Sequence, residues 1–165
     1  MMTLAAVNAM TAGEFTAAFG DVAEHSPWVA RIVASLRPFA SRDAMMEAFT
    51  ATVRGAAREA QLALIRAHPD LATKARITED STREQAGAGL DTLSSEEFAR
   101  FADLNNRYKA KFGFPFIFAV KGATKHHILA SFAERLNHGP EEEFATALEQ
   151  VCRIFRFRIE DRVAA

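Results

Sequence analysis

Residues 94–120 read SSEEFARFADLNNRYKAKFGFPFIFAV, and they hold both a well-marked helix and its abrupt interruption. Ser94-Ser95-Glu96-Glu97 caps a helix, with a hydroxyl to hold a backbone N–H of its first turn. Phe98, Phe101, Leu104, Tyr108 and Phe112 then recur at threes and fours on one face. Gly113 can adopt the left-handed conformation that closes a helix. The run Phe114 to Val120 that follows is too apolar to be solvated, and Pro115 breaks it too sharply for an ordinary helix. Its backbone N–H and C=O groups must still find partners. Either it is core, or it walls a small apolar pocket with a few polar groups.

Outward from this stretch the chain reads as helical. Thr11 and Glu14 spell a capping box, so a helix starts near Ala12. Ser26 as N-cap and Pro27 at the first helical position start a second, to about Arg37. A third stretch, capped by Ser41, runs from Arg42 to about Ala67, and Gly55 can divide it. Pro69 disfavours helical geometry at His68 and ends it. Residues 70–80 look irregular, and Ser81 with Glu84 repeats the capping-box pattern before Gly87 and Gly89. Thr124 caps a helix from Lys125 to about Asn137, and Gly139-Pro140 introduces the last. Nothing alternates with period two. The expected fold is all-α, a single compact domain over residues 1–165 with about seven to eight helices and an irregular pocket-lining segment near 113–122.

Composition narrows the function classes. The 165 residues are 49% apolar and 25% charged with a formal net charge of −1, which gives no electrostatic case for nucleic acid or an anionic membrane. Fourteen Phe against one Tyr and one Trp predict walls built from rings without polar handles. The single Cys152 excludes an intramolecular disulfide and reads as a small buried hydrophobe. No His pair has the four-residue spacing of a helical zinc site, so no metal is expected. No apolar run nears the roughly 20 residues that span a bilayer, and the first residues lack a secretory pattern, so the cytoplasm is the expected compartment.

Four polar residues stand out. His68 sits at a helix end before Pro69 and Asp70, presented at a terminus rather than along a shaft. Glu84 either completes the capping box of Ser81 or serves chemistry beside a helix N-terminus, where backbone N–H groups could hold a substrate oxygen. Gln85 adds a donor and an acceptor. In the last helix Phe144, Leu148, Val151, Ile154 and Phe155 form an apolar stripe, and Arg158 falls in its middle. A guanidinium there either snorkels to solvent or aims into a pocket to hold a carboxylate or carbonyl.

Taken in order, Glu24-His25-Ser26-Pro27-Trp28, His68-Pro69-Asp70-Leu71-Ala72, Ser81-x-x-Glu84-Gln85-x-x-Ala88-Gly89-Leu90, Asn105-x-x-Tyr108-x-x-Lys111-Phe112-Gly113-Phe114-Pro115-Phe116 and the terminal Arg158-Ile159 span nearly the whole chain. Together they resemble the 2-oxo-4-hydroxy-4-carboxy-5-ureidoimidazoline (OHCU) decarboxylase family of urate breakdown. The resemblance implies a cofactor-free helical enzyme, usually a homodimer, that converts OHCU to (S)-allantoin and carbon dioxide. It implies His68 as the catalytic proton donor, and a site lined by Pro69, by Ser81, Thr82, Arg83, Glu84 and Gln85, and by Phe116, Ile117, Phe118, Ala119 and Val120, with Arg158 supplying a cation. Direct contact with a hydroxyisourate hydrolase is left open. The alternative is a non-catalytic helical module that docks on neighbouring enzymes of the pathway.

Overall fold

The computed structural model describes residues 1–73 and 77–165. Among them are nine helices and no strand: α1 (Leu4–Ala9), α2 (Ala12–Phe19), α3 (Trp28–Ala34), α4 (Arg42–Arg54), α5 (Arg58–Arg66), α6 (Glu79–Gly87), α7 (Ser95–Phe112), α8 (Lys125–Arg135) and α9 (Pro140–Arg162). The all-α expectation holds, with one helix more than the upper count. The surplus is α1, a six-residue helix capped by the Thr3 side chain, in which only Val7 is buried. A helix so short carries too little periodicity to be seen in sequence. Gly55 does divide the third stretch, as the C-cap of α4.

The chain sorts into two units. The first comprises Met1–Ala67 and Val151–Ala165. Phe15, Phe19 and Phe49 of α2 and α4 are fully buried in it, with Phe15 and Phe19 centroids 4.9 Å apart and Phe49 edge-on to Phe155 at 6.0 Å. Arg37 gathers the chain after α3. Its Nε donates to the Ala34 carbonyl at 2.8 Å and its Nη1 to that of Met10 at 2.6 Å, and its guanidinium lies over the Phe15 ring. The chain ends meet here too: Met2 N–H donates to the Arg162 carbonyl and Ala164 N–H to that of Met2, both at 2.8 Å.

The second unit is His68–Gln150. Its aromatic core stacks Phe116 on Phe132, centroids 3.7 Å apart, with Tyr108 edge-on to both. The local signals around it are realised. Ser94 and Glu97 form a reciprocal capping box on α7, Gly113 closes that helix at φ 77°, and Thr124 caps α8. Residues 113–124 are irregular between α7 and α8. Of the expected irregular stretch 70–80, residues 70–73 are non-helical and Glu79 already begins α6, while residues 74–76 lie outside the described residues.

Two helices start elsewhere than the sequence predicts. Ser26 does not cap α3: its hydroxyl donates to the Glu24 carbonyl at 2.8 Å, Pro27 occupies the cap position, and the helix stops at Ala34 rather than Arg37. Nor does Ser81 start α6. Thr78, three residues earlier, is the N-cap and accepts from Ser81 N–H, which places Ser81 in the first turn and Glu84 one turn further in. Thr and Ser are both good caps, and the helix starts at the earlier of the two, with Ser81 buried in its first turn.

Candidate active site

His68 follows directly on Ala67, the C-cap of α5, and is buried at 8% exposure. The residues after it are pinned by three side chains from two helices of the second unit. Gln85 on α6 accepts from Ala72 N–H with Oε1 at 2.9 Å and donates with Nε2 to the Asp70 carbonyl at a longer 3.5 Å. Asn105 on α7 donates to the Leu71 carbonyl at 2.9 Å, and Lys109 pairs with the Asp70 carboxylate at 2.6 Å. Ala72 is held at φ 57°, a left-handed conformation that a residue with a Cβ keeps only when its surroundings impose it. The His-Pro-Asp-Leu-Ala turn is thus tied to α6 and α7, and the histidine is carried on a fixed backbone. Gln85, read from sequence as a substrate contact, spends both ends of its amide on this turn.

The other α6 positions differ among themselves. Ser81 is buried and Glu84 half-buried. Thr82 and Arg83 are exposed and bond within their own helix, Thr82 Oγ1 to the Thr78 carbonyl and Arg83 to Asp80 at 2.7 Å. Two adjoining hollows open on this unit. One of about 250 Å³ is lined by Ile77, Thr82, Gln85 and Ala86. The other, about 370 Å³, is lined by Ala72, Leu93, Ser94 and Phe98, and Thr73, Leu90 and Asp91 border both. Neither is lined by His68, Glu84 or the 116–120 run.

The Phe114–Val120 run is largely buried, with Phe116 at 1% and Ile117 at 2% exposure and Phe118 half-buried. Its irregular backbone finds side-chain partners. Arg135 Nη1 donates to the Ile117 carbonyl at 2.6 Å, and Ala119 N–H donates to Gln150 Oε1 at 2.9 Å. Arg135 also donates through Nε to Glu143 Oε1 at 2.5 Å, and the Tyr108 hydroxyl donates to the same oxygen at 2.6 Å. Burial and the adjoining Glu143 carboxylate push the Tyr108 phenol well above its ordinary range, so it remains a donor.

Arg158 lies in the first unit, 2% exposed, with Nη1 2.8 Å from the Glu24 carboxylate and 3.3 Å from the Asp21 and Val22 carbonyls. It does not snorkel. Glu24 is equally buried, so the apolar stripe of α9 carries half of an ion pair whose other half is the first residue of the Glu24–Trp28 motif. Removing either partner would strand a buried charge.

The family model described as OHCU decarboxylase matches residues 8–160. The chain belongs to the OHCU decarboxylase family. It is 43% identical over 164 residues to a 2-oxo-4-hydroxy-4-carboxy-5-ureidoimidazoline decarboxylase of Haloferax volcanii, covering 99% of this chain and 98% of that one. It is 44% identical over 161 residues to the uric acid degradation bifunctional protein of Bacillus subtilis, covering 98% of this chain but 33% of that longer protein. Among solved structures, that of an (S)-allantoin synthase superposes with a TM-score of 0.81 at 31% identity, over 98% of this chain and 54% of that one. The family resemblance drawn from the motifs is therefore established over nearly the full length.

Among the polar residues of this family member, Lys109, Arg135, Glu143 and Gln150 carry no signal in the motifs, and Asn105 and Glu24 stand in them without a role of their own. A signal existed for one of them. Arg135 stands seven residues after Ile128 and three after Phe132, both fully buried, which is the same charge-on-an-apolar-stripe pattern that marked Arg158. Cys152 is buried, and desolvation raises its thiol pKa, in keeping with a packing role.

Proposed function

We propose that this chain decarboxylates OHCU to (S)-allantoin and carbon dioxide in urate degradation, with His68 and Glu84 sharing the proton transfers. The substrate carries a carboxylate and a hydroxyl on one ring carbon beside a C=N bond. As the carboxylate leaves as carbon dioxide, its bonding electron pair delocalises into that C=N, so the substrate is its own electron sink. One proton must then be delivered to carbon on a single face. The protein has to turn the carboxylate out of the ring plane, stabilise the developing charge and aim that proton.

The observation that carries the assignment of His68 is its setting: a buried imidazole on a turn clamped by Gln85, Asn105 and Lys109. A proton donor gains from such a mount, because transfer requires the donor within about 3 Å of the accepting atom in a fixed direction. Pro69, Ser81, Thr82, Arg83, Glu84 and Gln85 together with Phe116, Ile117, Phe118, Ala119 and Val120 line the substrate in this reading, and Arg158 supplies a cation. Gln85 and Arg158 act with prior commitments, to the turn backbone and to Glu24, so each also orders the residues around it. The same reading takes residues 1–165 as one functional domain, a homodimer and a cytoplasmic location. No helix among the described residues is long and apolar enough to cross a membrane.

The test generates OHCU from urate in the cuvette with the two preceding enzymes. It follows ultraviolet decay together with circular dichroism of the product. Wild-type protein should accelerate decay and yield single-handed allantoin, and His68→Asn should lower kcat by about 10²–10⁴ while remaining folded. A folded His68→Asn variant with wild-type kcat would remove the histidine from the mechanism. Unchanged decay to racemic product with wild-type protein would favour the docking-module alternative.

A further inference from the structure

The run 114–120 is not helical, yet two of its peptide groups are held by long polar side chains from α8 and α9. The Ile117 carbonyl accepts from Arg135 Nη1, and Ala119 N–H donates to Gln150 Oε1. Arg135 cannot swing freely, since its Nε is bonded to the fully buried Glu143 and its guanidinium lies 4.3 Å from the centre of the Phe116 ring. The two held groups flank one residue, Phe118. A trans peptide unit points its C=O and its N–H in opposite directions. Aiming the Ile117 carbonyl at Arg135 therefore turns Phe118 N–H away from Arg135. Aiming Ala119 N–H at Gln150 likewise turns the Phe118 carbonyl away from Gln150. Among the described residues, neither the N–H nor the C=O of Phe118 makes a backbone hydrogen bond, and the residue is half-buried. A partly buried peptide donor and acceptor are expected to meet a ligand or solvent rather than stay unmatched.

We propose that Gln150 and Arg135 are positioning residues for the decarboxylation. By holding Ala119 N–H and the Ile117 carbonyl they fix the two peptide planes on either side of Phe118, and with them the direction of the donor and acceptor that Phe118 presents to the substrate. This rests on the reading of Phe116–Val120 as substrate-lining. The chemistry that suits such a pair is an amide or ureido edge, which offers a carbonyl and an N–H side by side. Because neither clamp touches the reacting carbon, its loss weakens ground state and transition state alike and shows in KM rather than kcat.

The experiment measures OHCU turnover and amide hydrogen exchange in wild type, Gln150→Leu, Gln150→Glu and Arg135→Lys. Gln150→Leu removes the acceptor from Ala119 N–H without enlarging the side chain, and Gln150→Glu keeps one. The leucine variant should raise KM about fivefold, the effect of one neutral hydrogen bond, with kcat within about twofold of wild type. The glutamate variant should stay within about twofold in both. Arg135→Lys keeps a cation beside Glu143 but lacks the fork that also reaches Ile117, and should raise KM as Gln150→Leu does. Exchange at residues 117–120 should quicken in the leucine variant and not in the glutamate variant. A KM unchanged in Gln150→Leu, or raised equally by leucine and glutamate, overturns the proposal while the decarboxylase reading stands. Wild-type protein without turnover overturns the decarboxylase reading itself, and the positioning role with it, whatever the exchange shows.

Discussion

Replacing Glu143 by leucine removes the carboxylate on which three donors of the second unit converge. Arg135 Nε lies 2.5 Å from it, the Tyr108 hydroxyl 2.6 Å and His138 Nδ1 3.1 Å, and Glu143 itself has no solvent exposure. In the variant the Arg135 guanidinium, 5% exposed, keeps only the Ile117 carbonyl and the face of Phe116. Its Nη2 already has no hydrogen-bond partner among the described residues, so no second anion stands ready to replace the lost one. Breaking a buried ion pair from one side costs about 3–5 kcal/mol. A domain of this size loses about 2–4 °C of Tm per kcal/mol, so the expected fall is about 6–20 °C. The double variant Arg135→Met/Glu143→Leu removes both charges at similar volume, and most of the loss should return. It should nonetheless show a raised KM, because the Ile117 carbonyl loses its clamp. Urea and thermal denaturation of the two variants beside wild type measure both stability effects. A loss under about 1 kcal/mol in Glu143→Leu, or a double variant no more stable than the single one, would mean that a stranded buried charge is not what destabilises the protein.

Three further outcomes are expected. Tyr108 is the only tyrosine, so tyrosinate absorbance reports it alone. With its folded pKa raised above the ordinary 10.0, its contribution to stability is complete below about pH 10 and is lost as pH rises beyond that value. Tyrosinate should appear only as the protein unfolds, and Tyr108→Phe should flatten the alkaline slope of stability; a normal titration in folded protein would contradict this. Glu97 is held down to about 2 by the hydrogen bond from Lys125 and by its capping bonds to Ser94, so its contribution is present above about pH 4.5 and is lost as pH falls toward 2. Lys125→Met should move the Glu97 midpoint up toward 4.5 in an NMR titration, and an unmoved midpoint would show that Lys125 is not the cause. Gly113→Ala places a Cβ at φ 77° and should cost about 1–2 kcal/mol in denaturant melts, where no measurable loss would show the left-handed cap to be unstrained.

The helical class and most helix boundaries are legible in the amino-acid order, because the interactions that set them are local. Thr11 with Glu14, Ser94 with Glu97, Thr124 with His127 N–H and the left-handed Gly113 all act within about four residues. Residue identity and spacing are therefore enough to read them. Where two good caps stand close together, at Thr78 and Ser81, local chemistry is degenerate, and the fold takes Thr78. The short α1 fell below what periodicity can register. At the candidate site, the motif residues and the family were legible, since they are matters of identity and order. Their partners were not. Arg158 meets Glu24 across 134 residues, Asn105 reaches Leu71 across 34, and Gln150 reaches Ala119 across 31. A charged or amide side chain on an apolar stripe announces that it needs a partner, because desolvation is costly. Which partner it finds depends on how distant segments return to one another, and no local pattern encodes that.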